Sequence, residues 1–294
     1  MVDLIVDAHV HAGEFGKHWS RELCRVIQPP GSGLPERIDV DLDDLKRKMD
    51  ASKVDKAFLF AHDLARPWKS KCPNEYVASF VARNRDRFVG FASVDPLGGD
   101  SSVRELKHAV KDLGLRGLKL LPAYSECAPG DPRVFLVYGA ARDLRIPVTV
   151  HTGFATSVSL MSHDRPDSLD DVAIRFPDLK IIVAHMGLLW SNTALMLMWK
   201  HRNVFGDISA WGFMPFDYLV RTLCYAKHLG VIGKILWGTD YPSLEPIATQ
   251  AQDIQRMRRI PAYAARIGIE PTVSPSDIQA ILGDNALKVI ETSA

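Results

Sequence analysis

The stretch LIVDAHVH, residues 4–11, decides how the rest of the chain is read. A short apolar run enters it, and two histidines, His9 and His11, leave it with one residue between them. In a strand, side chains at i and i+2 point to the same face. Both imidazoles therefore share one side, close enough to bind one metal ion. The alternative is a solvated histidine pair at a strand end. The two readings separate only if further ligands arrive at matching places along the chain.

Seven more apolar runs follow, each bounded by turn residues: 56–62 (KAFLFAH), 88–94 (FVGFASV), 117–121 (GLKLL), 147–152 (PVTVHT), 180–185 (KIIVAH), 204–209 (VFGDIS) and 234–239 (KILWGT). Between them lie amphipathic stretches at 41–52, 74–84, 101–113, 132–144, 168–176, 192–201, 217–229 and 249–260. In the first of these, Leu42, Leu45 and Met49 recur at helical spacing, with acids early and bases later, as a helix dipole prefers. Pro177 stops one helix just before a strand.

Eight strands alternating with helices predict an α/β fold, a parallel TIM (β/α)8 barrel in one domain spanning 1–294. A doubly wound open sheet is the alternative. It wants a glycine-rich phosphate turn after the first strand, where this chain has His-Val-His. Two connections are long, 12–40 and 154–167, and both follow strand C-terminal ends. That is the active face of a barrel, so they read as lids or substrate walls. The tail, 276–290, reads as a final helix capped by Ser276 or Asp277.

A net charge of +1 over 294 residues gives no field that would draw the chain to nucleic acid or an anionic membrane. The expected partner is a small-molecule substrate. Cys24, Cys72, Cys127 and Cys224 form no C-x-x-C pair and read as reduced thiols. No basic segment followed by an apolar one opens the chain, and no apolar run reaches bilayer length. A cytoplasmic setting is the expectation.

Ligand-type side chains gather at the ends of the runs. The first gives His9 and His11, the fourth Lys119, the fifth His151, the sixth His185, the seventh Asp207 and the eighth Asp240. His62 and Asp63 close the second, and Asp95 the third. In a barrel these ends converge on one pocket. Zinc takes neutral imidazole nitrogen and carboxylate oxygen, and His9, His11, His151 and Asp240 supply such a set. Zinc lowers the pKa of a bound water towards ~7, which makes hydroxide available for attack. His185 or Asp240 would then accept or deliver the proton.

Each assignment has a plainer rival. His151 and His185 could be core histidines bonded to backbone, and Asp240 could cap the turn before Pro242. Lys119 could hold an anionic substrate, be carboxylated and bridge two ions, or pair with an acid. Asp207 could orient a histidine or simply end a strand. His18, His62, His108, His163, His201 and His228 read singly as surface or helix residues, with His18 and His163 on the two long loops. Trp19, Tyr124, Phe154, Trp190, Trp211 and Phe213 are candidates for an aromatic pocket wall, with Trp19 taken as substrate-binding.

The chain resembles the amidohydrolase superfamily, in the branch that includes aminocarboxymuconate-semialdehyde decarboxylase. DAHVH at 7–11, RGLKLLP at 116–122, PVTVHTG at 147–153, the segment 165–187, WGTDYP at 237–242 and ILGDNALKVI at 281–290 carry the resemblance. It implies a distorted barrel and a divalent metal, usually zinc, with manganese as the other choice. By position it makes His9, His11, His151 and Asp240 the ligands. His185 then acts on substrate or water, or binds a second ion bridged by a carboxylated Lys119. The branch favours one ion, and a homodimer.

The first functional expectation is a metal-dependent hydrolase of a small carboxylated or cyclic substrate: a lactone, amide or imine. Lys119, with Arg66 or Arg165, would hold its carboxylate. Non-oxidative decarboxylation at the same site is the second expectation. Some aromatic-acid decarboxylases of the superfamily place an acid where His9 stands. A ligand-binding barrel without chemistry is the third, and binding alone would not need five metal-type residues.

Overall fold

The computed structural model describes residues 4–27, 37–153 and 159–291. Its strands in chain order are β1 (Val6–His11), β2 (Lys56–Phe60), β3 (His62–Leu64), β4 (Ser70–Cys72), β5 (Phe88–Ser93), β6 (Gly117–Leu120), β7 (Val148–Val150), β8 (Ile181–Val183), β9 (Val204–Asp207) and β10 (Ile235–Leu236). All but β3 and β4 form one parallel sheet in the order β1-β2-β5-β6-β7-β8-β9-β10. The chain just after β10 closes the sheet onto β1. Ala8 N donates to Trp237 O at 2.9 Å, Asp240 N to His9 O at 3.0 Å, and His11 N to Tyr241 O at 2.9 Å. The architecture is the expected TIM barrel, with helices packed around it.

Strand alternation sorts the side chains into two layers. In β2, Phe58 and Phe60 point to the barrel axis while Ala57 and Leu59 join the outer layer under the helices. β1 starts the same way: Val6 and Ala8 join Phe58, Phe60 and Phe91 inside. The register of β1 against β2 then slips between Asp7 and Val10. Such a bulge adds one residue and re-aims the side chains beyond it. Val10 accordingly joins the outer layer, while the His9 and His11 rings lie 4.8 and 5.7 Å from the Phe60 ring.

Several helices start where their chemistry dictates. Asp41 caps Leu42–Ser52 by accepting from Asp43 N and Asp44 N. The last turn of that helix carries no base, so the expected charge order holds only at its start. The tail differs from the reading of Ser276 or Asp277 as its cap. Ser274 is the cap, Pro275 opens the helix, and Asp277 completes a capping box with Ser274. The tail passes through a π-turn at Ala280–Asp284 into Asn285–Ile290. There Ala286, Val289 and Ile290 close the barrel floor against Val6 and Phe58.

The second run, read as one strand to residue 62, divides. β2 ends at Phe60, and His62 opens an antiparallel hairpin of β3 with β4. Of the two long connections, 28–36 and 154–158 lie outside the described residues, and Phe154 with them. Among the described residues no helix is long and apolar enough to cross a membrane.

Gly238 sits where β10 closes onto β1. A Cβ there would lie 2.8 Å from His9 Cβ and 3.0 Å from His9 N. Gly238→Ala is expected to cost about 1–3 kcal/mol in denaturant titration and to lower metal affinity by shifting His9. Ser274→Ala should cost about 1 kcal/mol and leave metal affinity unchanged. Equal effects of the two on metal binding would refute the assignment of Gly238 to the His9 contact.

Candidate metal centre

His9 is fully buried, and its two ring nitrogens face different chemistry. Nδ1 lies 3.0 Å from Asp207 Oδ2 and 3.0 Å from Ser209 Oγ. The ionised carboxylate only accepts, so Nδ1 carries the proton and Nε2 keeps its lone pair. That lone pair faces Lys119 Nζ at 3.0 Å and Asp240 Oδ1 at 3.4 Å. His11 Nε2 lies 3.3 Å from the same Asp240 oxygen.

Burial holds the His9 ring down to about 3, helped by Lys119 and opposed by Asp207. Burial also lowers His11, His151 and His185. The rings are therefore neutral near pH 7, the form that ligates a metal. Burial alone would raise Asp240, but the hydrogen-bonding contact with His11 opposes it, and the carboxyl lies below its usual range. An unprotonated ring nitrogen and a carboxylate oxygen thus face each other at 3.4 Å in a closed site. Two lone pairs repel unless a cation lies within reach of both. Lys119 meets part of that need from 3.0 Å. His9, His11 and Asp240 each offer one ligand atom, all within 4.8 Å of one another. Two nitrogens and a carboxylate oxygen fit a divalent metal such as zinc. His9, His185 and Asp207 form a second such group. Ser209 Oγ already bonds to all three, so it is a hydrogen-bond network rather than an ion site.

His151 and His185 come from the ends of β7 and β8. His151 Nδ1 lies 3.2 Å from His185 Nε2, and His151 Nε2 is buried with no hydrogen-bond partner among the described residues. His185 and Asp240 both sit in left-handed backbone, at φ 58° and 61°. Each costs about 1 kcal/mol, and local bonds hold both in place. His185 N donates to Asp207 Oδ1 at 3.0 Å, Trp211 Nε1 donates to His185 O at 2.7 Å, and Asp240 N donates to His9 O.

The structure thus groups His9, His11 and Asp240 directly and sets His151 beside His185. Lys119 is fully buried at the centre, its Nζ 5.1 Å above the Phe60 ring. Burial lowers its amine to about 8, against the pull of Asp207 and Asp240. Arg165 does not join the site. Its side chain is 51% exposed and paired with Asp167 at 3.0 Å. Arg66 is held by Asp95, Glu126 and Ser125 O. Trp19 is 4% exposed, donates Nε1 to Ala12 O, and sets its ring 5.8 Å from His11 and 3.8 Å from His62. It buttresses His11 and shows a substrate almost no surface. Of the aromatic residues, Tyr124 lies 5.1 Å from the His151 ring, Trp211 is buried behind His185, and Phe213 is half exposed.

His18 and His62 are corrections to the surface reading, since both are buried. His62 Nε2 faces His18 O at 3.1 Å and Ser70 Oγ at 3.3 Å, because the hairpin folds it under Trp19. His163 is half-buried, and His108 and His228 are exposed. Two positioning residues escaped the sequence reading. Ser209 lies two residues beyond Asp207, and that spacing was the available signal. Asp7 accepts from Thr239 N (3.0 Å), Thr239 Oγ1 (2.6 Å), Gln250 Nε2 (3.0 Å) and His9 N (3.2 Å), which ties β1 to the turn carrying Asp240.

The amidohydrolase family model matches residues 6–291. A 2-amino-3-carboxymuconate-6-semialdehyde decarboxylase of Dictyostelium discoideum is 28% identical over 78 residues, which cover 26% of this chain and only 22% of that protein. An uncharacterized TIM-barrel protein from Bordetella bronchiseptica superposes with a TM-score of 0.71 at 17% identity, covering 97% of this chain and 98% of the other. A probable 2-pyrone-4,6-dicarboxylic acid hydrolase from Acinetobacter baumannii does so with a TM-score of 0.66 at 15% identity, covering 97% and 98%. At these identities the two structures speak to the fold.

Burial lowers the His62 ring from 6.5 to about 3. Between those values the unfolded chain binds the proton and the folded chain does not. The stability due to this ring is therefore complete above pH 6.5 and falls as pH drops towards 3, by ~1.4 kcal/mol per pH unit. Asp7, raised by burial to about 6, acts in the opposite sense between its unfolded and folded values. A wild-type minus His62→Gln comparison isolates the ring. Denaturant titrations from pH 7 to 4 should show a shallower pH slope for the variant, and parallel slopes would refute a neutral, buried His62.

Proposed function

The chain belongs to the amidohydrolase family, and from that premise we propose that it is a metal-dependent hydrolase of a small, carboxylated or cyclic substrate such as a lactone, amide or imine. One observation carries the reading: Asp240 Oδ1 stands 3.4 and 3.3 Å from the Nε2 atoms of His9 and His11, with the His9 proton held on Nδ1 by Asp207 so that Nε2 keeps its lone pair. His9, His11, His151 and Asp240 would hold one divalent ion, zinc or manganese. Such an ion supplies Lewis-acid polarisation of a substrate oxygen and a water acidified towards neutrality.

The chain's own groups divide the remaining work. Asp240 is ionised and its side chain is 17% exposed, more open than His9 or His11. It is the first acceptor for a proton leaving the attacking water. His185 stands second, because its Nε2 must give up the His151 contact before it can reach substrate. The Phe60 ring and the buried wall around it keep bulk water from the rings. Lys119 is the cation at the centre that can meet a substrate carboxylate. Among the described residues the arginines nominated for that task, Arg66 and Arg165, are committed to acids. Hydrolysis needs a base and a polarising centre, and both have residues here.

Decarboxylation stays as a second reading because the aligned Dictyostelium relative is named a decarboxylase. Product analysis separates the two. With a panel of small lactones, cyclic amides and carboxylated aromatic or dienoic acids, hydrolysis predicts a ring-opened acid without carbon dioxide. Carbon dioxide release in step with substrate loss would replace the hydrolase reading.

Elemental analysis of protein purified without added metal or chelator should find about one divalent ion per chain. His11→Ala and Asp240→Ala should each lose the ion and lower turnover by more than about a hundredfold. His185→Ala should keep it at saturating metal while turnover falls by about 10²–10⁴. Two ions per chain, halved in His185→Ala, would make Lys119 a carboxylated bridge. Unchanged activity in His11→Ala and Asp240→Ala would refute the mechanism.

A further inference from the structure

We propose that Ser209 is a positioning residue through which one carboxylate, Asp207, fixes the proton positions of three histidine rings: His9 directly, His185 through the Ser209 hydroxyl, and His151 through His185. The inference rests on the metal-centre reading above and assigns a role to a side chain outside the ligand set.

The assignment follows from which atoms can donate. Ser209 O lies 3.3 Å from His185 Nδ1, and a carbonyl oxygen cannot donate, so this nitrogen bears the ring's proton. Ser209 Oγ lies nearer, at 2.8 Å, and accepts from the same N–H. The hydroxyl has one proton of its own. His9 Nδ1 cannot take it, since that nitrogen is already protonated against Asp207 Oδ2. The proton therefore goes to Asp207 Oδ1, to which Ser209 Oγ is hydrogen-bonded. Asp207 Oδ1 also accepts the backbone N–H groups of His185 and Ser209, each at 3.0 Å. Asp207 is thus surrounded by donors, fully buried, and fixed as an acceptor.

The order then passes outward. A neutral His185 with its proton on Nδ1 has a lone pair on Nε2. His151 Nδ1, 3.2 Å away, must be the donor to it. A neutral His151 that donates from Nδ1 has its lone pair on Nε2, the buried nitrogen with no hydrogen-bond partner among the described residues. That atom is then ready to ligate. Without the Ser209 hydroxyl, His185 Nδ1 keeps only the longer carbonyl contact. The carbonyl still favours the proton on Nδ1, but loss of the nearer acceptor weakens that preference. The tautomer with the proton on Nε2 therefore gains population, and in it Nε2 can only donate to His151 Nδ1. The His151 proton must then move to Nε2, where it blocks ligation.

The test reads tautomers directly. Long-range 1H–15N spectra of histidine-labelled, metal-free protein should show His185 and His151 protonated on Nδ1 in the wild type. Ser209→Ala should move both rings together towards Nε2–H, and zinc affinity, measured by competition with a chelating dye, should fall 10- to 100-fold. Ser209→Thr keeps the hydroxyl and should restore both readouts. If Ser209→Ala does not fold, Ser209→Cys, close in volume and a weak hydrogen-bonding group, carries the same expectation. Rings that stay on Nδ1 in these variants overturn the proposal, whatever happens to zinc affinity. A wild type that binds no zinc would defeat the metal-centre reading alone, because the tautomers of the metal-free variants still decide the role of Ser209.

Discussion

Between Asp7 and Val10, β1 carries one residue more than its partner β2, and three successive side chains thereby take three separate duties. Asp7 points to Thr239 and Gln250 and fixes the turn after β10. Ala8 fills the barrel floor beside Phe58 and Phe60. His9 enters the metal centre with its proton committed to Asp207. Strict alternation would put Val6, Ala8 and Val10 on one side and Asp7, His9 and His11 on the other. The chain would then have to choose between an apolar floor and a histidine site. The bulge lets the lower half of β1 pack the core while the upper half presents ligands. Gly238 is the counterpart across the closure, because any Cβ there would press on His9.

The polar load of the centre is met by bonds rather than by water. His9, Lys119, Asp207 and Ser209 have no solvent exposure, and His185 has very little. An unmatched buried polar group costs about 1–3 kcal/mol, so five unmatched groups would exhaust the stability of an ordinary domain of ~5–15 kcal/mol. Asp207 prevents this by accepting from two backbone amides, one hydroxyl and one imidazole. The left-handed backbone at His185 and Asp240 belongs to the same balance. Its cost of about 1 kcal/mol each is comparable to the ~1 kcal/mol of a net hydrogen bond, and each residue has at least one dedicated bond.

The parts of this molecule that repeat were legible in the sequence. Eight apolar runs gave eight barrel strands because a parallel strand buried on both faces is apolar along most of its length. Side chains at the ends of those runs fell at one end of the barrel for the same reason. What does not repeat was hidden. The bulge in β1 is a single extra residue with no composition of its own. The division of the second run at residue 61 depends on where the hairpin of β3 and β4 folds back, and so does the burial of His62. Arg165 and Trp19 lie on loops, where no period says which way a side chain turns; one pairs outward with Asp167 and the other packs behind His11. Ser209 is small and ordinary in sequence; its spacing from Asp207 is a faint signal, and its contacts with three charged or ring groups are what mark it.

Charge balance links Lys119 to the rest of the centre. The rings are neutral, so the local sum is two carboxylates, Asp207 and Asp240, against one ammonium, Lys119, which leaves one negative charge. That residual charge favours a cation, in keeping with the facing lone pairs of His9 and Asp240. With a divalent ion added, the sum becomes one positive charge, and the favoured next step reverses. The site then attracts an anionic ligand, or Lys119 gives up its proton, which its lowered value of about 8 already makes easier. The same residue therefore has two uses set by the same electrostatics. As an ammonium it draws in a substrate carboxylate, and as a free amine it is available for carboxylation. Which one operates depends on how many positive charges the four ligands hold, so the ion count and the role of Lys119 are one question.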